Sequence, residues 1–91
     1  MYKHLHIKVK GKVQGVYYRK SAQEAAQRFG IRGYVRNESD GDVRIEAEGD
    51  DMQLDQFVTW CRKGPERAEV GRLEISEDPR VRNFSSFEII R

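Results

Sequence analysis

The sequence has 91 residues, 37% of them hydrophobic and 35% charged, which fits one small domain over residues 1–91 and excludes a second core. Seventeen Lys and Arg against fifteen Asp and Glu leave a net charge of +2, too small to indicate a nucleic-acid or membrane partner. The single cysteine excludes an internal disulfide and leaves any thiolate metal site without its usual cysteine partners. No apolar run has the length of a signal peptide or membrane span, so we expect a cytoplasmic protein.

The first predicted element is a strand over residues 2 to about 10. Ile7 and Val9 alternate with polar residues, which is typical of a half-buried strand. His4 and His6 lie on the polar face and could reach one metal ion, but no third ligand follows at a suitable spacing. We therefore expect a solvated face and no metal.

A loop with two glycines, Gly11 and Gly15, connects this strand to a helix. Glycine takes positive φ without Cβ obstruction, so the loop can turn successive backbone N–H groups toward an anion. The amides at a helix N-terminus also favour an anion, and the guanidinium of Arg19 can bind two phosphate oxygens. Most glycine turns bind nothing, so a phosphate site and a plain turn both stay open on these residues alone.

Basic side chains crowd this loop in the sequence. They are Lys8, Lys10, Lys12, Arg19, Lys20 and Arg36. Together they could focus a small anion at the loop, or they could form a solvated basic face that binds nothing. The sequence favours neither interpretation.

Apolar residues at helical spacing predict a first helix that ends at Phe29, with Gly30 as its stop. Its start is open. Tyr18 lies in phase with the apolar face, whereas Ser21 and Glu24 form a capping-box pattern one turn later. A start at Tyr18 would let an anion in the loop cap the helix.

The remaining elements are a hairpin, a second helix and two strands. We predict strands at 33–38 and 42–48, a helix between Gly49-Asp50-Asp51 and Arg62-Lys63-Gly64-Pro65, and strands at 68–75 and 84–90. The order β-α-β-β-α-β plus a short terminal strand is that of the α+β ferredoxin-like sandwich, a mostly antiparallel sheet with two helices on one face. Asp40 and Asp42 are interpreted as turn residues, and Cys61 as a packing residue on the apolar stripe of the second helix.

Asn37 ends the second predicted strand. A right-handed crossover makes strands one and two parallel, so their carboxyl ends lie at the same edge of the sheet. Asn37 shares the parity of Val35, which places its amide on the helix-covered face near Arg19. A structural role in the following turn and a role in a site both stay open.

Two segments, GKVQGVYYR at 11–19 and GYVRN at 33–37, resemble the two signatures of the acylphosphatase family, and the length and element order are similar as well. The resemblance implies that the protein hydrolyses the carboxyl–phosphate bond of acyl phosphates to a carboxylate and inorganic phosphate, with neither a metal nor an organic cofactor. It implies that Arg19 binds the phosphoryl group and that Asn37 orients the attacking water. It assigns substrate binding to the backbone of Gln14, Gly15, Val16, Tyr17 and Tyr18. We expect a monomer whose partners are the small acyl phosphate and its phosphate product, with no nucleic acid and no membrane.

Two other classes of function stay open. RNA-recognition modules share this fold, and residues 32–35 faintly echo one of their motifs. Their stacking platform needs exposed aromatic residues on the central strands, and strand one offers only His4 and His6 while strand three offers none. The other class is a non-catalytic domain that binds acyl phosphates or proteins, against which Arg19 and Asn37 both argue.

Overall fold

The computed structural model describes all 91 residues, as five strands and two helices. They are β1 (Tyr2–Lys12), α1 (Tyr18–Phe29), β2 (Arg32–Asn37), β3 (Val43–Asp50), α2 (Asp51–Lys63), β4 (Glu69–Asp78) and β5 (Phe87–Ile89). The predicted ferredoxin-like order is confirmed, with shifts of up to three residues at most element ends. No helix is long and apolar enough to cross a membrane.

The strands form one sheet in the order β4-β1-β3-β2-β5. β3 is antiparallel to both β1 and β2, so β1 and β2 run in the same direction. β4 pairs antiparallel with β1, and β5 pairs parallel with β2. The carboxyl ends of β1 and β2 therefore lie at one edge of the sheet, which is the relationship that the crossover argument predicts.

Both helices cover one face of the sheet, and the apolar core lies between the helices and the sheet. Its 16 residues are Ile7, Val9, Val13, Tyr18, Ala22, Ala25, Ala26, Ile31, Val35, Val43, Ile45, Ala47, Leu54, Phe57, Cys61 and Phe87. The small alanines of α1 let that helix approach the sheet closely. Cys61 is fully buried in this layer, so its predicted packing role is confirmed.

The helix boundaries follow local backbone chemistry. α1 begins at Tyr18, directly after Tyr17 in the left-handed conformation, so the later start at the Ser21 capping box is wrong. Tyr18 is buried in the core, and this burial favours a helix that already begins at Tyr18. At α2, Asp50 and Gln53 form a reciprocal capping box, which confirms the predicted carboxylate cap.

Gly11 does not belong to the loop. β1 continues to Lys12, and Gly11 lies inside it at φ 131°, where the pairing with β4 shifts register. A Cβ there would lie 2.3 Å from the carbonyl oxygen of Glu69. Gly11 thus permits a close strand approach rather than cradling an anion, a role that local sequence does not reveal because β4 is almost 60 residues away.

The face of the sheet opposite the helices is not solvated where His4 lies. His4, Glu46 and Glu48 are each 0–1% exposed, because residues 79–86, between β4 and β5, fold over them. The expectation of a solvated face is wrong at this point. The expectation that no third ligand accompanies the two histidines is also wrong, since β4 brings Asp78 beside them.

Candidate active site

A cleft of about 380 Å³ opens where the loop after β1, the start of α1, the end of β2 and the last residues of the chain meet. The lining residues are Val13, Gly15, Tyr17, Tyr18, Arg19, Lys20, Asn37, Ile89 and Arg91. Arg19 and Asn37, which the sequence places on different elements, therefore line the same cleft. Its volume suits a small molecule.

The loop turns through two residues with positive φ, Gly15 at 74° and Tyr17 at 68°. A Cβ on Gly15 would meet no atom within 4 Å, so the need for glycine there comes from the backbone conformation and not from crowding. A tyrosine in the left-handed region is uncommon and costs about 1–3 kcal/mol. Such strained residues concentrate at binding sites, where the surrounding structure holds the backbone in a useful arrangement.

The N-terminus of α1 faces this cleft without a cap of its own. Its N-cap residue, Tyr17, makes no side-chain cap hydrogen bond, and the first turn contains no acidic residue. The first backbone amides of a helix lack intrahelical acceptors and carry the positive end of the helix dipole. An anion in the cleft would complete these hydrogen bonds.

Arg19 lines the cleft, and its positive charge is not neutralised by any neighbouring carboxylate. It forms no ion pair with any carboxylate of the protein, and of the six basic residues near the loop in sequence only Arg19 and Lys20 line the cleft. Three of the others are neutralised elsewhere: Lys8 by Asp40, Lys10 by Asp42 and Arg36 by Glu38. Half of the six basic residues are thus held in ion pairs, and three basic side chains, Arg19, Lys20 and Arg91, line the cleft itself.

Asn37 is the last residue of β2, and its side chain is unusual in its bonding. The Oδ1 atom is buried and has no hydrogen-bond partner in the protein. Buried polar atoms are nearly always paired, so an unpaired one needs an explanation. The turn after β2 is satisfied by other groups, which argues against the structural role that the sequence left open.

Those other groups belong to Gln14 and to the turn itself. The Gln14 side-chain amide donates to the carbonyl oxygens of Glu38 and Asp42, both at 2.8 Å, and the backbone N–H of Asp42 donates to the Asp40 carboxylate. The side chains of Gln14 and Val16 do not line the cleft, whereas Gly15, Tyr17 and Tyr18 do. Gln14 instead fixes the loop to the β2–β3 turn, beside Asn37.

Tyr18 anchors the other side of the loop. Its hydroxyl donates to the carbonyl oxygen of Cys61 at 2.8 Å, inside the core. Burial raises the pKa of the Tyr18 phenol, so it stays protonated. Tyr18 thus holds the start of α1 against the end of α2 and is not available as an acid or a base.

Sequence reasoning missed Ile89 and Arg91 as residues of the cleft. They arrive there because β5 pairs parallel with β2, with Ile89 opposite Val35 and the N–H of Ile90 donating to the Val35 carbonyl oxygen. The alternation of Phe87 and Ile89 predicts a strand, but it does not predict which other strand of the sheet it pairs with. A strand that returns beside β2 carries the residues after it toward Asn37.

Comparison with known proteins agrees with this geometry. The family model described as Acylphosphatase matches residues 5–89. The chain is 48% identical to an acylphosphatase of Marinobacter nauticus, over 90% of this chain and 89% of the relative, and 43% identical to one of Methylococcus capsulatus, over 98% and 97%. Its fold matches the crystal structure of acylphosphatase from Bacillus subtilis at a TM-score of 0.95 and 32% identity, over the whole of both chains. The chain belongs to the acylphosphatase family.

Proposed function

We propose that this protein hydrolyses acyl phosphates by in-line attack of water on phosphorus, with the phosphoryl group held by Arg19 and the loop amides. The water oxygen forms a bond to phosphorus while the bond from phosphorus to the carboxyl oxygen breaks. The products are a carboxylate and inorganic phosphate. The observation that carries this proposal is the unpaired, buried Oδ1 of Asn37, in the same cleft as Arg19.

The phosphoryl group fits the positive end of the cleft. The Arg19 guanidinium has no competing carboxylate and can bind two phosphoryl oxygens at once. The amides from Gln14 to Tyr18, with the dipole of α1 behind them, stabilise the charge that spreads over the equatorial oxygens in the transition state. An acyl phosphate already carries a good leaving group, so positioning and charge stabilisation supply what the reaction needs.

The nucleophile is a water molecule bound to Asn37. Its Oδ1 accepts a hydrogen bond from that water, which completes its own hydrogen bonding and points an oxygen lone pair of the water toward phosphorus. No Asp, Glu or His lines the cleft. The water proton therefore passes to a phosphoryl oxygen as the bond forms.

The acyl group faces the outer part of the cleft. Tyr17 is 65% exposed and lines the cleft with Ile89, so both offer apolar surface to an acyl chain or ring. Lys20 and Arg91 lie at the same opening and favour the carboxylate that departs. We propose that these four side chains set the preference among acyl phosphates.

The burial of side chains on the sheet face opposite the helices supports hydrolysis over the RNA-binding alternative. His4 is fully buried, and the Tyr34 ring packs edge-on against Phe84 with the centroids 6.0 Å apart. Residues 79–86 cover the face on which bases would have to stack. The non-catalytic binding domain would use the same cleft, and turnover separates it from the enzyme.

The experiment is hydrolysis of a simple aromatic acyl phosphate by the purified protein in excess chelator, well below its melting temperature. We expect rapid turnover in the wild type and in the surface control Arg67→Gln. Arg19→Gln is expected to lose about 10³-fold in kcat/KM together with inhibition by phosphate, and Asn37→Ala about 10²-fold in kcat with KM little changed. Inhibition by phosphate that survives intact in folded Arg19→Gln would refute its role, and absence of turnover in the wild type would leave a binding domain.

The setting of this activity is also a proposal. We infer a monomer that acts in the cytoplasm on a small acyl phosphate, independently of nucleic acid and membrane. The cleft is supported by residues of one chain, and the sole cysteine is free and buried, which suits a reducing compartment. Light scattering of the protein as it elutes from a size-exclusion column, measured over a tenfold range of protein concentration, tests whether it is a monomer.

A further inference from the structure

Five titratable side chains on the face of the sheet opposite the helices form a connected group that the proposed hydrolysis does not use. We refer to it as the histidine–carboxylate cluster: His4 and His6 on β1, Glu46 and Glu48 on β3, and Asp78 on β4. The strand register brings them together, with His4 opposite both Glu48 and Asp78, and His6 opposite Glu46. Residues more than 70 positions apart in the sequence thus become neighbours.

Every ring nitrogen of the two histidines contacts a carboxylate oxygen. His4 Nδ1 lies 2.7 Å from Glu48 and His4 Nε2 2.5 Å from Glu46. His6 Nδ1 lies 2.7 Å from Glu46 and His6 Nε2 2.9 Å from Asp78. Each ring is thus held between two carboxylates, His4 between Glu46 and Glu48 and His6 between Glu46 and Asp78.

We propose that the histidine–carboxylate cluster is a binding site for one Zn²⁺ ion, with His4 Nε2, His6 Nε2 and the Asp78 carboxylate as ligands. One donor atom from each of these residues lies within 4.8 Å of the others. Donors bound at 2.0–2.2 Å to a tetrahedral ion are about 3.4 Å apart, so they need to approach by roughly an ångström. Two imidazole nitrogens beside a carboxylate suit Zn²⁺, whereas Mg²⁺ and Ca²⁺ prefer sites made of oxygen ligands alone.

The remaining ring nitrogens already have the partners that a metal site needs. Glu48 holds Nδ1 of His4, and Glu46 holds Nδ1 of His6. A carboxylate on the non-ligating nitrogen fixes the tautomer and orientation of a metal-bound histidine. Glu48 is itself fixed, since the backbone N–H groups of Arg82 and Phe84 donate to its two oxygens.

The charge of the cluster also suits a cation. Its three carboxylates are accompanied by one permanent positive charge, the guanidinium of Arg44, which lies 2.9 Å from Glu46. A dication bound between the histidines would compensate the other two negative charges, and buried charges require such compensation.

The site also has a route to solvent. His6 and Asp78 have side chains that are 29% and 19% exposed, and a shallow hollow beside His6 opens to the surface. An ion can thus approach His6 and Asp78 from solvent, on the exposed side of the cluster. Bound there, it would tie β1 to β4 and, through Glu48, to residues 79–86, with no contact to the catalytic cleft on the other face.

The test is titration of chelator-treated, desalted protein with Zn²⁺ by calorimetry at neutral pH. We expect saturable binding of one ion per chain and, at a free Zn²⁺ concentration 100 times Kd, an unfolding equilibrium constant about 100-fold lower. Asp78→Asn and His6→Gln, both at partly exposed positions, are expected to weaken Zn²⁺ binding at least tenfold. Glu77→Gln, the exposed neighbour on the same strand, is the matched control and should bind Zn²⁺ like the wild type.

Circular dichroism of each variant establishes that it is folded before the titration. Acyl phosphate hydrolysis should be the same with and without Zn²⁺, so this site and the catalytic cleft are tested separately. Absence of one-to-one binding would overturn the proposal. Equal Zn²⁺ affinity in the wild type and in folded Asp78→Asn and His6→Gln would overturn it as well, because the ion would then lie elsewhere.

Discussion

The Tyr18 hydroxyl donates a hydrogen bond to the carbonyl oxygen of Cys61 at 2.8 Å. In a continuing helix that carbonyl would accept from the N–H of residue 65, but residue 65 is proline and has none. A tyrosine at the start of α1 thus supplies the donor that α2 lacks at its end. The bond fastens the loop between β1 and α1, which Tyr18 directly follows, to the end of α2.

Substitution Tyr18→Phe should therefore lower stability while keeping the ring in place. The variant leaves the Cys61 carbonyl buried without a donor, which costs about 1–2 kcal/mol. Urea denaturation measures this as a lower midpoint at an unchanged m value. Tyr2→Phe, at a partly exposed position, serves as the control. A midpoint equal to that of the wild type would mean that water or another group satisfies the carbonyl.

Gln14→Glu should disconnect the loop from the β2–β3 turn. The two shapes are nearly identical, but a carboxylate cannot donate to the carbonyl oxygens of Glu38 and Asp42 and would repel them. We expect a loss of about 2–3 kcal/mol in stability and a fall in kcat, since Asn37 lies beside this turn. The same exchange at the exposed Gln56 is the control. Unchanged stability and kcat in Gln14→Glu would contradict the assigned role.

The two glycines of the first signature should respond differently to alanine. In Gly15→Ala the added methyl group has no neighbouring atom within 4 Å, so the loss of stability is only the backbone cost of positive φ, about 1–2 kcal/mol. The same methyl group would enter the cleft and reduce turnover. Gly11→Ala would place Cβ 2.3 Å from the Glu69 carbonyl oxygen and 2.5 Å from the Gly71 nitrogen. We expect it to destabilise the protein by about 3 kcal/mol or more.

Thermal unfolding and kinetics of the two variants, measured side by side, check this prediction. A folded Gly15→Ala protein with full activity would contradict the placement of Gly15 in the cleft. A Gly11→Ala protein as stable as the wild type would show that β4 can move away from β1.

The Cys61 thiol should be unreactive in the native protein. Burial raises its pKa to about 12, so the thiolate fraction at pH 8 falls to about 10⁻⁴, and no reagent can reach the sulfur without an opening of α2. Modification by an aromatic disulfide reagent should therefore follow the unfolding equilibrium and become immediate in denaturant. Rapid modification under native conditions would contradict the burial and the raised pKa.

The sequence predicted the fold and the meeting of Arg19 with Asn37 because both depend on strong local rules. Alternation and helical spacing define the elements, and the handedness of the crossover brings the ends of β1 and β2 to one edge. The resemblance to the acylphosphatase signatures then assigned roles that these rules alone left open. The chemical roles of both residues remain predictions.

The errors share a different cause, which is contact between distant segments. Gly11 looks like a loop glycine until β4 pairs beside it, and His4 looks solvated until residues 79–86 cover it. Asp78 cannot be recognised as a neighbour of His6 from spacing, since the two are 72 positions apart. Arg91 reaches the cleft only because β5 pairs with β2, a choice of partner that strand propensity does not encode.

The sheet order also bears on how separate molecules meet. β4 and β5 are the two outer strands, and each leaves backbone N–H and C=O groups free on one side. β5 has only three residues, too short to recruit another strand, while β4 has ten residues that include Glu69, Arg72, Glu74, Glu77 and Asp78. Charges along an outer strand, together with the irregular pairing at Gly11, discourage a second copy from extending the sheet. The strand that completes the histidine–carboxylate cluster thus also carries the charges that oppose edge-to-edge pairing.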